Sequence, residues 1–399
     1  MNKEIKRTGW CLFNARLMCH TEWPGYLKYR QSVSLLCGGK SVNNDIVSNE
    51  EIVQLARRNL KQGEWDYLVG ASESETTMRR NRLAFDKLAF RPRVLVDVSS
   101  LDPSTKFLGQ NLRIPVMLAP IGSLQTFHPD AGAASTKAAA EFGIIHVVSS
   151  VTEPSLEEIA KAVDYPKFFQ LYIHGDWDWT KDMIKRIKDA GYSSLCITVD
   201  TDYLSRRERP LLSRYVPFTN RKYIDRLYQA AMTWDTIDKI KEVADLPIML
   251  KGIATAEDAA IAIEHGVDVV WVSNHGGRQL DHGEGTMDML TEIVDEVKGR
   301  AAIILDGGVQ RGSDIAKAVA LGADAVAIGK LQGWGLAADG AEGVKRVLEI
   351  LEEELTIAMG LMGVTSIDQL GPDYITAAEH VSLPHEMSSW TNMPENRIL

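Results

Sequence analysis

The chain has 399 residues, of which 45% are hydrophobic and 25% are charged, and these ordinary values exclude a disordered protein. The formal net charge is −10, so no general positive field is present to attract nucleic acid. The length is compatible with two or three domains, or with one α/β barrel that carries additions.

The first 48 residues form an extension whose role the sequence leaves open. A secretory signal peptide needs an apolar stretch of about 7–15 residues, and Asn14, Arg16, His20 and Glu22 interrupt it here. No apolar run in the chain approaches the roughly 18 residues that span a bilayer. We therefore expect neither secretion nor an integral membrane anchor.

The cysteines point to a reducing compartment. Four cysteines are too few for a disulfide framework in a chain of this length, so we expect a cytoplasmic protein. Cys11, Cys19, His20 and Cys37 lack the closely spaced cysteine pair that closes a zinc site. We expect no bound metal.

The chain then enters two predicted helices and a hairpin. Apolar residues share one face of Asn49–Gln62, where the first residue can cap the helix and Gly63 can end it. A second helix is predicted over Trp65–Arg80. Thr105–Gly109 and Asn111–Ile114 predict a short hairpin whose turn contains the Gly-Gln pair at positions 109 and 110.

An alternation of apolar runs and amphipathic stretches occupies most of the remaining chain. The runs are Val116–Ala119, Ile144–Val148, Phe168–Tyr172, Leu195–Val199, Pro247–Leu250, Val267–Val272, Ala302–Leu305 and Ala325–Ile328, and the helical stretches include Ala131–Phe142, Trp177–Ala190, Ala256–His265 and Asp314–Leu321. Continuous apolar strands that alternate with helices indicate a parallel sheet. Eight units predict a TIM (β/α)₈ barrel over residues 112–376, preceded by a helical segment and hairpin at 49–111 and followed by a tail at 377–399. The glycine patterns of Rossmann and P-loop folds are absent.

A long segment separates the fourth run from the fifth. Asp200–Leu246 is rich in arginine and aromatic residues, among them Arg206, Arg214, Arg221, Lys222, Tyr203, Tyr215, Phe218 and Tyr223. Such a composition can bind RNA or a membrane surface. We favour a solvated loop that covers the barrel mouth.

Polar residues follow nearly every predicted strand. The strand ends read Pro120-Ile121-Gly122, Ser149-Ser150, Gln170-Leu171-Tyr172, Thr198-Val199-Asp200, Lys251, Ser273-Asn274-His275, Asp306-Gly307-Gly308 and Gly329-Lys330. Because catalytic groups of such barrels lie at the carboxyl ends of the strands, these residues predict one lined pocket. The glycines after the last two strands let backbone amides approach an anion closely, which predicts a phosphorylated ligand.

A histidine and two arginines carry the predicted chemistry. His275 is the best candidate for a general base, because Arg278 follows it in a glycine-flanked loop at the mouth. Asp200 and Arg207 lie on the loop after the fourth strand. A carboxylate that binds an imidazole raises its pKa, and an arginine fork matches a carboxylate substrate. His128, His174, His265 and His380 are interpreted as structural or solvated residues.

These motifs resemble one known enzyme family. The resemblance runs from about Asn49 to Leu370, and it rests on Ser273-Asn274-His275-Gly276-Gly277-Arg278-Gln279-Leu280-Asp281, Phe169-Gln170-Leu171-Tyr172, Thr198-Val199-Asp200-Thr201, Leu250-Lys251-Gly252 and Leu305-Asp306-Gly307-Gly308-Val309. The chain resembles the FMN-dependent L-2-hydroxy acid oxidases and dehydrogenases, which include glycolate oxidase, lactate oxidase, lactate monooxygenase, mandelate dehydrogenase and flavocytochrome b2.

The resemblance implies a role for each matching residue. Arg278 and Arg207 would bind the substrate carboxylate, His275 would be the base, and Asp200 would stabilise the imidazolium. Tyr172 would hydrogen-bond the substrate oxygen, and Lys251 would lie near the flavin edge where negative charge accumulates. The implied FMN contacts are Pro120, Ile121 and Gly122 along the flavin, Ser149, Gln170, Thr198 and Ser273 at the ring or ribityl chain, Asp306 at the ribityl hydroxyls, and Gly307, Gly308, Val309, Gln310, Gly329 and Lys330 at the phosphate.

The chain departs from the family at several positions. Tyr67 is the available phenol for the substrate carboxylate, although Trp65 competes for the matching position. Many relatives carry arginine where this chain has Gln310 and Lys330, and Arg311 follows directly. Gly122 bears on oxygen reactivity, and Val151 replaces a larger residue, which leaves room for the substrate side chain.

The resemblance therefore implies an FMN enzyme that oxidises an L-2-hydroxy acid to a 2-keto acid. Oxygen, a quinone or a protein partner would accept the electrons, and family members are commonly tetramers. Two alternatives stay open at this point. An FMN-barrel isomerase has no need for the two arginines and the Asp–His pair, and a non-catalytic flavin-binding protein has no need for a base.

Overall fold

The computed structural model describes residues 46–217, 226–381, 385 and 387–391, and the elements below belong to the unit that begins at Ser48. Some sequence positions of interest lie outside these described residues: Cys11, Cys19, His20 and Cys37 near the start of the chain, and Phe218, Arg221, Lys222 and Tyr223 in the long segment.

From β4 to β11 each strand is followed by one or more helices. The strands are β1 (Leu88–Phe90), β2 (Thr105–Phe107), β3 (Gln110–Leu112), β4 (Val116–Leu118), β5 (Ile145–Ser149), β6 (Phe168–Leu171), β7 (Leu195–Thr198), β8 (Ile248–Ile253), β9 (Val269–Val272), β10 (Ala302–Asp306), β11 (Ala325–Ile328) and β12 (Ile375–Ala377). The helices are α1 (Asn49–Asn59), α2 (Gln62–Val69), α3 (Thr76–Asp86), α4 (Ala131–Phe142), α5 (Leu156–Ala162), α6 (Trp177–Asp189), α7 (Glu208–Leu212), α8 (Leu227–Ala230), α9 (Trp234–Ala244), α10 (Ala256–Glu264), α11 (Thr286–Val297), α12 (Gly312–Ala320) and α13 (Lys330–Met362).

Strands β4 to β11 close into one parallel barrel. Each strand pairs with the next along the chain, and β11 returns to β4 through the pairing of Val326 with Val116. Each barrel strand corresponds to one of the eight apolar runs. Most of their residues are buried, as a parallel sheet covered by helices requires. The predicted TIM barrel is confirmed.

The β2–β3 hairpin closes the amino-terminal end of the barrel. Phe107 and Leu112 from this hairpin are buried in the same apolar cluster as the inward-facing side chains of the barrel strands. The ring of Phe107 lies 6.5 Å, between centroids, from that of Phe168, which is the first residue of β6. The barrel is therefore a filled core, and the opposite end is left for a site.

The structure corrects the predicted helix boundaries before the barrel. Ser48 is the N-cap of α1, which ends at Asn59 and not near Gly63. The stretch predicted as one helix is two, α2 and α3, because the chain between them bonds to loops at the barrel mouth. There the backbone N–H of Ser72 donates to the Gly277 carbonyl at 3.0 Å, and that of Glu73 donates to Arg206 at 2.8 Å.

Two further predictions need correction. The hairpin turn is centred on Leu108 and Gly109, whose φ angles are both positive (44° and 76°), and not on the following Gly-Gln pair. This conformation matches the twist of a two-residue hairpin. The long segment predicted as a loop contains the short helices α7 and α8 and the amphipathic helix α9, which packs beside α6 on the outside of the barrel.

Within the residues that the structure describes, no helix has the length and apolarity needed to cross a bilayer.

The closed end predicts a stability effect. Phe107→Ala should lower the free energy of unfolding by about 3–5 kcal/mol, because it opens a cavity beneath the barrel. Leu95→Ala is the matched control, since Leu95 is fully exposed and should change that free energy little. Urea unfolding with saturating cofactor measures both. Equal free energies for the two variants would contradict the role of Phe107 in closing the barrel.

Candidate active site

One cavity of about 550 Å³ opens at the carboxyl ends of the barrel strands. The predicted site residues that line it are Tyr67, Pro120, Ile121, Gly122, Val151, Tyr172, Arg207, Lys251, His275, Arg278, Asp306, Gly307, Gly308, Val309, Gln310, Gly329 and Lys330. The other five, Ser149, Gln170, Thr198, Asp200 and Ser273, lie at or just after the ends of strands β5, β6, β7 and β9, within three residues of a lining residue. The structure thus brings the predicted set together.

His275 lies in a strained turn directly after β9. His275, Gly276 and Gly277 all have left-handed backbone angles, with φ of 58°, 65° and 75°. A histidine in this region costs energy and persists only where its surroundings hold it. The backbone of Met78 on α3 is one such constraint, since a Cβ on Gly277 would lie 2.5 Å from the Met78 nitrogen.

A pair of asparagine amides, which the sequence did not single out, ties this turn to α3. Asn81 donates to the Asn274 side-chain oxygen at 2.9 Å and accepts from its amide nitrogen at 2.7 Å. The Asn274 oxygen also accepts from the Gly277 N–H at 3.1 Å. The available sequence signal was a polar residue on the buried face of an amphipathic helix. The pair fixes the residue that precedes His275.

The His275 imidazole is paired with a carboxylate. Its Nδ1 lies 3.0 and 3.1 Å from the two oxygens of Asp200. Gly252 permits this approach, since a Cβ at its φ of 115° would lie 2.7 Å from the Asp200 Cβ. Nε2 is the imidazole nitrogen left for a substrate.

Burial decides the charge state of this pair. Burial is the largest effect and lowers the pKa of His275, and the charges of Lys251 and Arg207 add to the lowering. Asp200 opposes these effects without reversing the net direction. The sequence expectation of a raised pKa is therefore wrong in its net direction. Burial also opposes ionisation of Asp200, but the imidazole and Lys251 prevail and its pKa is lowered. A neutral imidazole beside an ionised carboxylate is the arrangement of a base.

Two arginines lie near one another in the same cavity. Arg278 donates to the Gly70 carbonyl at 2.6 Å, and Arg207 donates to the Arg278 carbonyl at 3.1 Å. Burial and the charge of Arg207 lower the pKa of Arg278 to about 10. Two like charges in a desolvated site favour an anion between them, and a carboxylate matches the guanidinium fork.

Two tyrosines lie near the arginines. The Arg278 guanidinium lies 5.2 Å from the ring centroid of Tyr67, whose ring also lies 6.1 Å from that of Phe127. Trp65 lies instead beneath Arg57, and it is Tyr67 that lines the cavity. Burial raises the pKa of Tyr172 to about 12, opposed by Lys251, so its hydroxyl stays protonated and can donate.

A buried cation occupies the end of β8. The ammonium of Lys251 lies 3.0 Å from the Ser273 hydroxyl and 3.3 Å from the Asp306 carboxylate. Burial opposes its charge, but Asp306 and Asp200 raise its pKa above the ordinary range, so it remains an ammonium. The Ser273 hydroxyl donates to Asp306 at 2.7 Å and accepts the His275 N–H at 3.0 Å. One serine thus joins the cation to the base.

The remaining polar atoms fit a flavin nucleotide. The amide nitrogen of Gln170 and the hydroxyl of Thr198 are buried without a partner among the described residues, although most such groups are satisfied in proteins. Gly307 and Gly308 adopt φ of 94° and 88°, and a Cβ on Gly308 would lie 2.9 Å from the Asn81 carbonyl. The unpaired donors suit hydrogen bonds to a flavin ring, and the buried cation suits the edge of that ring that becomes negative on reduction. The glycine backbone at positions 307 and 308 suits close approach to a phosphate.

The phosphate end of the cavity differs in part from the sequence expectation. The Arg311 guanidinium bonds to Glu354 and to the Ser389 carbonyl, so it is committed away from the cavity. The Lys330 ammonium, which lines the cavity, donates to the Val69 carbonyl at 2.6 Å. Arg82, which sequence reasoning missed, holds the Gly308 carbonyl at 2.9 Å.

His174 was expected to be structural or solvated, and the structure corrects this expectation. It lines the cavity and stacks on Tyr172 with 6.0 Å between ring centroids. Burial, with help from Arg226, lowers its pKa to about 4, so it is neutral. Its place two residues after Tyr172, beyond the end of β6, was the signal that could have indicated it.

Comparison with known proteins agrees with this geometry. The family model described as FMN-dependent dehydrogenase matches residues 56–220 and 212–377. The chain belongs to the FMN-dependent dehydrogenase family. This membership confirms that the cofactor is FMN and that the enzyme is an oxidoreductase that acts on 2-hydroxy acids. It does not favour the isomerase or the non-catalytic flavin-binding protein.

The matches to individual relatives extend over nearly the whole length of each relative. A peroxisomal (S)-2-hydroxyacid oxidase of Arabidopsis thaliana is 39% identical over 83% of this chain and 97% of its own, and an L-lactate oxidase of a Nostoc species is 38% identical over 82% and 96%. Among solved structures, a mandelate oxidase matches with a TM-score of 0.78 and 34% identity over 84% of this chain and 100% of its own. A structure described as a (putative) lactate oxidase of Pediococcus acidilactici matches with a TM-score of 0.78 and 32% identity. That match covers 84% of this chain and 95% of the other.

The left-handed turn from His275 to Gly277 predicts that alanine at two neighbouring glycines has different effects. Gly277→Ala should displace His275 and slow flavin reduction by on the order of 10²-fold, since small misplacements have effects of that size. Gly276→Ala is the matched control, because its Cβ would meet open space at a similar φ. Anaerobic stopped-flow absorbance measures both. Equal slowing would mean that backbone strain alone, and not the contact with Met78, sets the turn.

Proposed function

We propose that the protein oxidises an L-2-hydroxy acid to the 2-keto acid, with His275 as the base. The observation that carries this proposal is the presence, in one cavity, of an imidazole held by Asp200 and of two arginines, Arg207 and Arg278. A base and an anion clamp together suit a small acid whose reacting carbon is next to its carboxylate.

Each residue has one task in this reaction. Arg278 and Arg207 bind the carboxylate, and the hydroxyls of Tyr172 and Tyr67 donate to substrate oxygens. His275 takes a proton at Nε2, which converts it to an imidazolium that Asp200 stabilises. When bound, FMN would accept the two electrons and the second proton that the substrate loses. Carbanion and hydride forms of this step place the same demands on these residues.

The proposed cofactor contacts follow the cavity from one end to the other. Lys251 supplies a fixed positive charge beside the flavin, where a preorganised cation favours the negative charge of reduction. Gln170 and Thr198 donate to the ring or ribityl chain, with Ser149 and Ser273 beside them. Asp306 binds the ribityl hydroxyls. The proposed phosphate contacts are Gly307, Gly308, Val309, Gln310, Gly329 and Lys330, and Pro120, Ile121 and Gly122 lie along the flavin.

The substrate side chain and the electron acceptor complete the proposal. We place the side chain against Val151, whose small size leaves room in the cavity. The relatives named as oxidases support molecular oxygen as the acceptor, in preference to a quinone or a protein. A homotetramer is proposed from the family resemblance. A cytoplasmic location is proposed from the low cysteine content, and the peroxisomal relative is its competitor.

The reaction is tested by anaerobic reduction. Protein with bound FMN is mixed with a panel of L-2-hydroxy acids, and the visible absorbance of the flavin should bleach with at least one of them. His275→Ala should retain FMN and slow this reduction by about 10²–10⁴-fold, the usual contribution of a general base. Reduction of that variant at the wild-type rate would exclude His275 as the base. Admission of air then measures reoxidation and identifies oxygen as the acceptor if it is fast.

The pH dependence has a defined sign. A base acts only when it is unprotonated, so the rate of flavin reduction should be flat at high pH and fall as the pH drops through a pKa below 6.5, because burial lowers that of His275. Asp200→Asn removes the charge that opposes this lowering. Its midpoint should therefore move to still lower pH, and its plateau rate should fall because the imidazolium loses its partner. A midpoint that moves upward would contradict the assignment.

A further inference from the structure

The chain after the barrel returns to the cofactor end of the cavity. Met387 and Trp390 are buried, at 4% and 2% exposure, although they lie close to the C-terminus. The described residues 385 and 387–391 form a short turn in which the Ser388 N–H donates to the His385 carbonyl at 3.1 Å. We call the residues 387–390 the C-terminal strap. Nothing in the proposed reaction uses these residues, so their burial calls for a separate explanation.

The strap contacts the loop after β10 directly. The Ser389 hydroxyl donates to the side-chain oxygen of Gln310, and the Ser389 carbonyl accepts from Arg311 Nε at 3.2 Å. Gln310 is itself buried and lines the cavity, in the loop proposed to hold the phosphate. The strap thus holds this loop, and its own residues are not among those that line the cavity.

A second contact reaches the same loop through an ion-pair network. The Ser388 hydroxyl donates to Asp86 at 3.1 Å, and Asp86 lies 3.0 Å from Arg82. Arg82 in turn donates to the Gly308 carbonyl at 2.9 Å and bonds bidentately to Asp314, at 2.7 and 2.8 Å. Asp314 accepts the backbone N–H of Gln310 at 2.9 Å, which fixes the direction of that peptide unit.

A third contact reaches the other proposed phosphate element. The ring of Trp390 packs edge-on against Trp334, with 5.5 Å between centroids. Trp334 lies in the first turns of α13, which begins at Lys330 directly after Gly329. The strap therefore spans both elements that the proposed function assigns to the phosphate.

We propose that the C-terminal strap is a positioning element for the cofactor phosphate, through its hold on Gln310, Gly308 and the start of α13. This inference rests on the phosphate placement in the proposed function. The resemblance expects arginines where this chain has Gln310 and Lys330, and Arg311 is turned away, so fewer fixed charges face the phosphate. Backbone amides must supply more of the binding, and amides bind an anion well only when their loops are held in place.

The test compares two cofactors that differ only in the phosphate. Enzyme stripped of flavin is titrated with FMN or with riboflavin, and quenching of flavin fluorescence gives each dissociation constant. Trp390→Ala should raise the dissociation constant for FMN about tenfold, whereas that for riboflavin should change less than about twofold. Ser389→Ala should change the FMN constant in the same direction by a smaller factor, and it serves if the tryptophan variant does not fold.

The controls separate the possible failures. Trp234→Ala removes a tryptophan that stacks on His265 outside the cavity, and it should change neither constant. An unchanged FMN constant in both strap variants would overturn the proposal, and so would equal weakening of FMN and riboflavin, which indicates general loosening. Wild-type enzyme that binds FMN no better than riboflavin would instead contradict the phosphate placement in the proposed function.

Discussion

The proposed site depends on holding an imidazole neutral beside a carboxylate, with both side chains mostly removed from water. Burial alone would favour the uncharged form of both groups, whereas the charge of the carboxylate alone would favour the protonated form of the imidazole. The structure meets both demands because Lys251 and Arg207 face the same space and oppose the charged form of His275, whereas Lys251 favours the charged form of Asp200. The base is therefore free of a proton and yet has a partner that stabilises the charge it acquires.

The same constraint explains the strained backbone around the base. The turn from His275 to Gly277 is left-handed throughout, which a histidine does not adopt without support. The support comes from outside the barrel, from Asn81 and Met78 on α3, and from the backbone bond between Ser72 and Gly277. The helical segment that precedes the barrel thus fixes where the imidazole lies.

The sequence predicted the barrel and most of the cavity because both follow from local patterns. Apolar runs of regular spacing indicate parallel strands, and polar residues at the strand ends must converge where those ends meet. Other features depend on contacts between distant segments. The break between α2 and α3 is set by bonds from Ser72 and Glu73 to loops more than a hundred residues away. The Asn81–Asn274 pair and the contribution of His174 likewise need the folded chain to be recognised.

The direction of the His275 pKa shows why charge states are harder to read than positions. The sequence correctly brought Asp200 to the imidazole, and the pair interaction taken alone raises the pKa. The net direction of the pKa shift also depends on how far the imidazole is buried and on which other charges lie near it. Neither can be read from a sequence motif. Lys251 is one of these other charges, since Ser273 joins it to the backbone of His275 and Asp306 keeps it charged. The lysine proposed for the cofactor therefore also contributes to the lowered pKa of the proposed base, so the two proposed functions of the cavity share one buried cation.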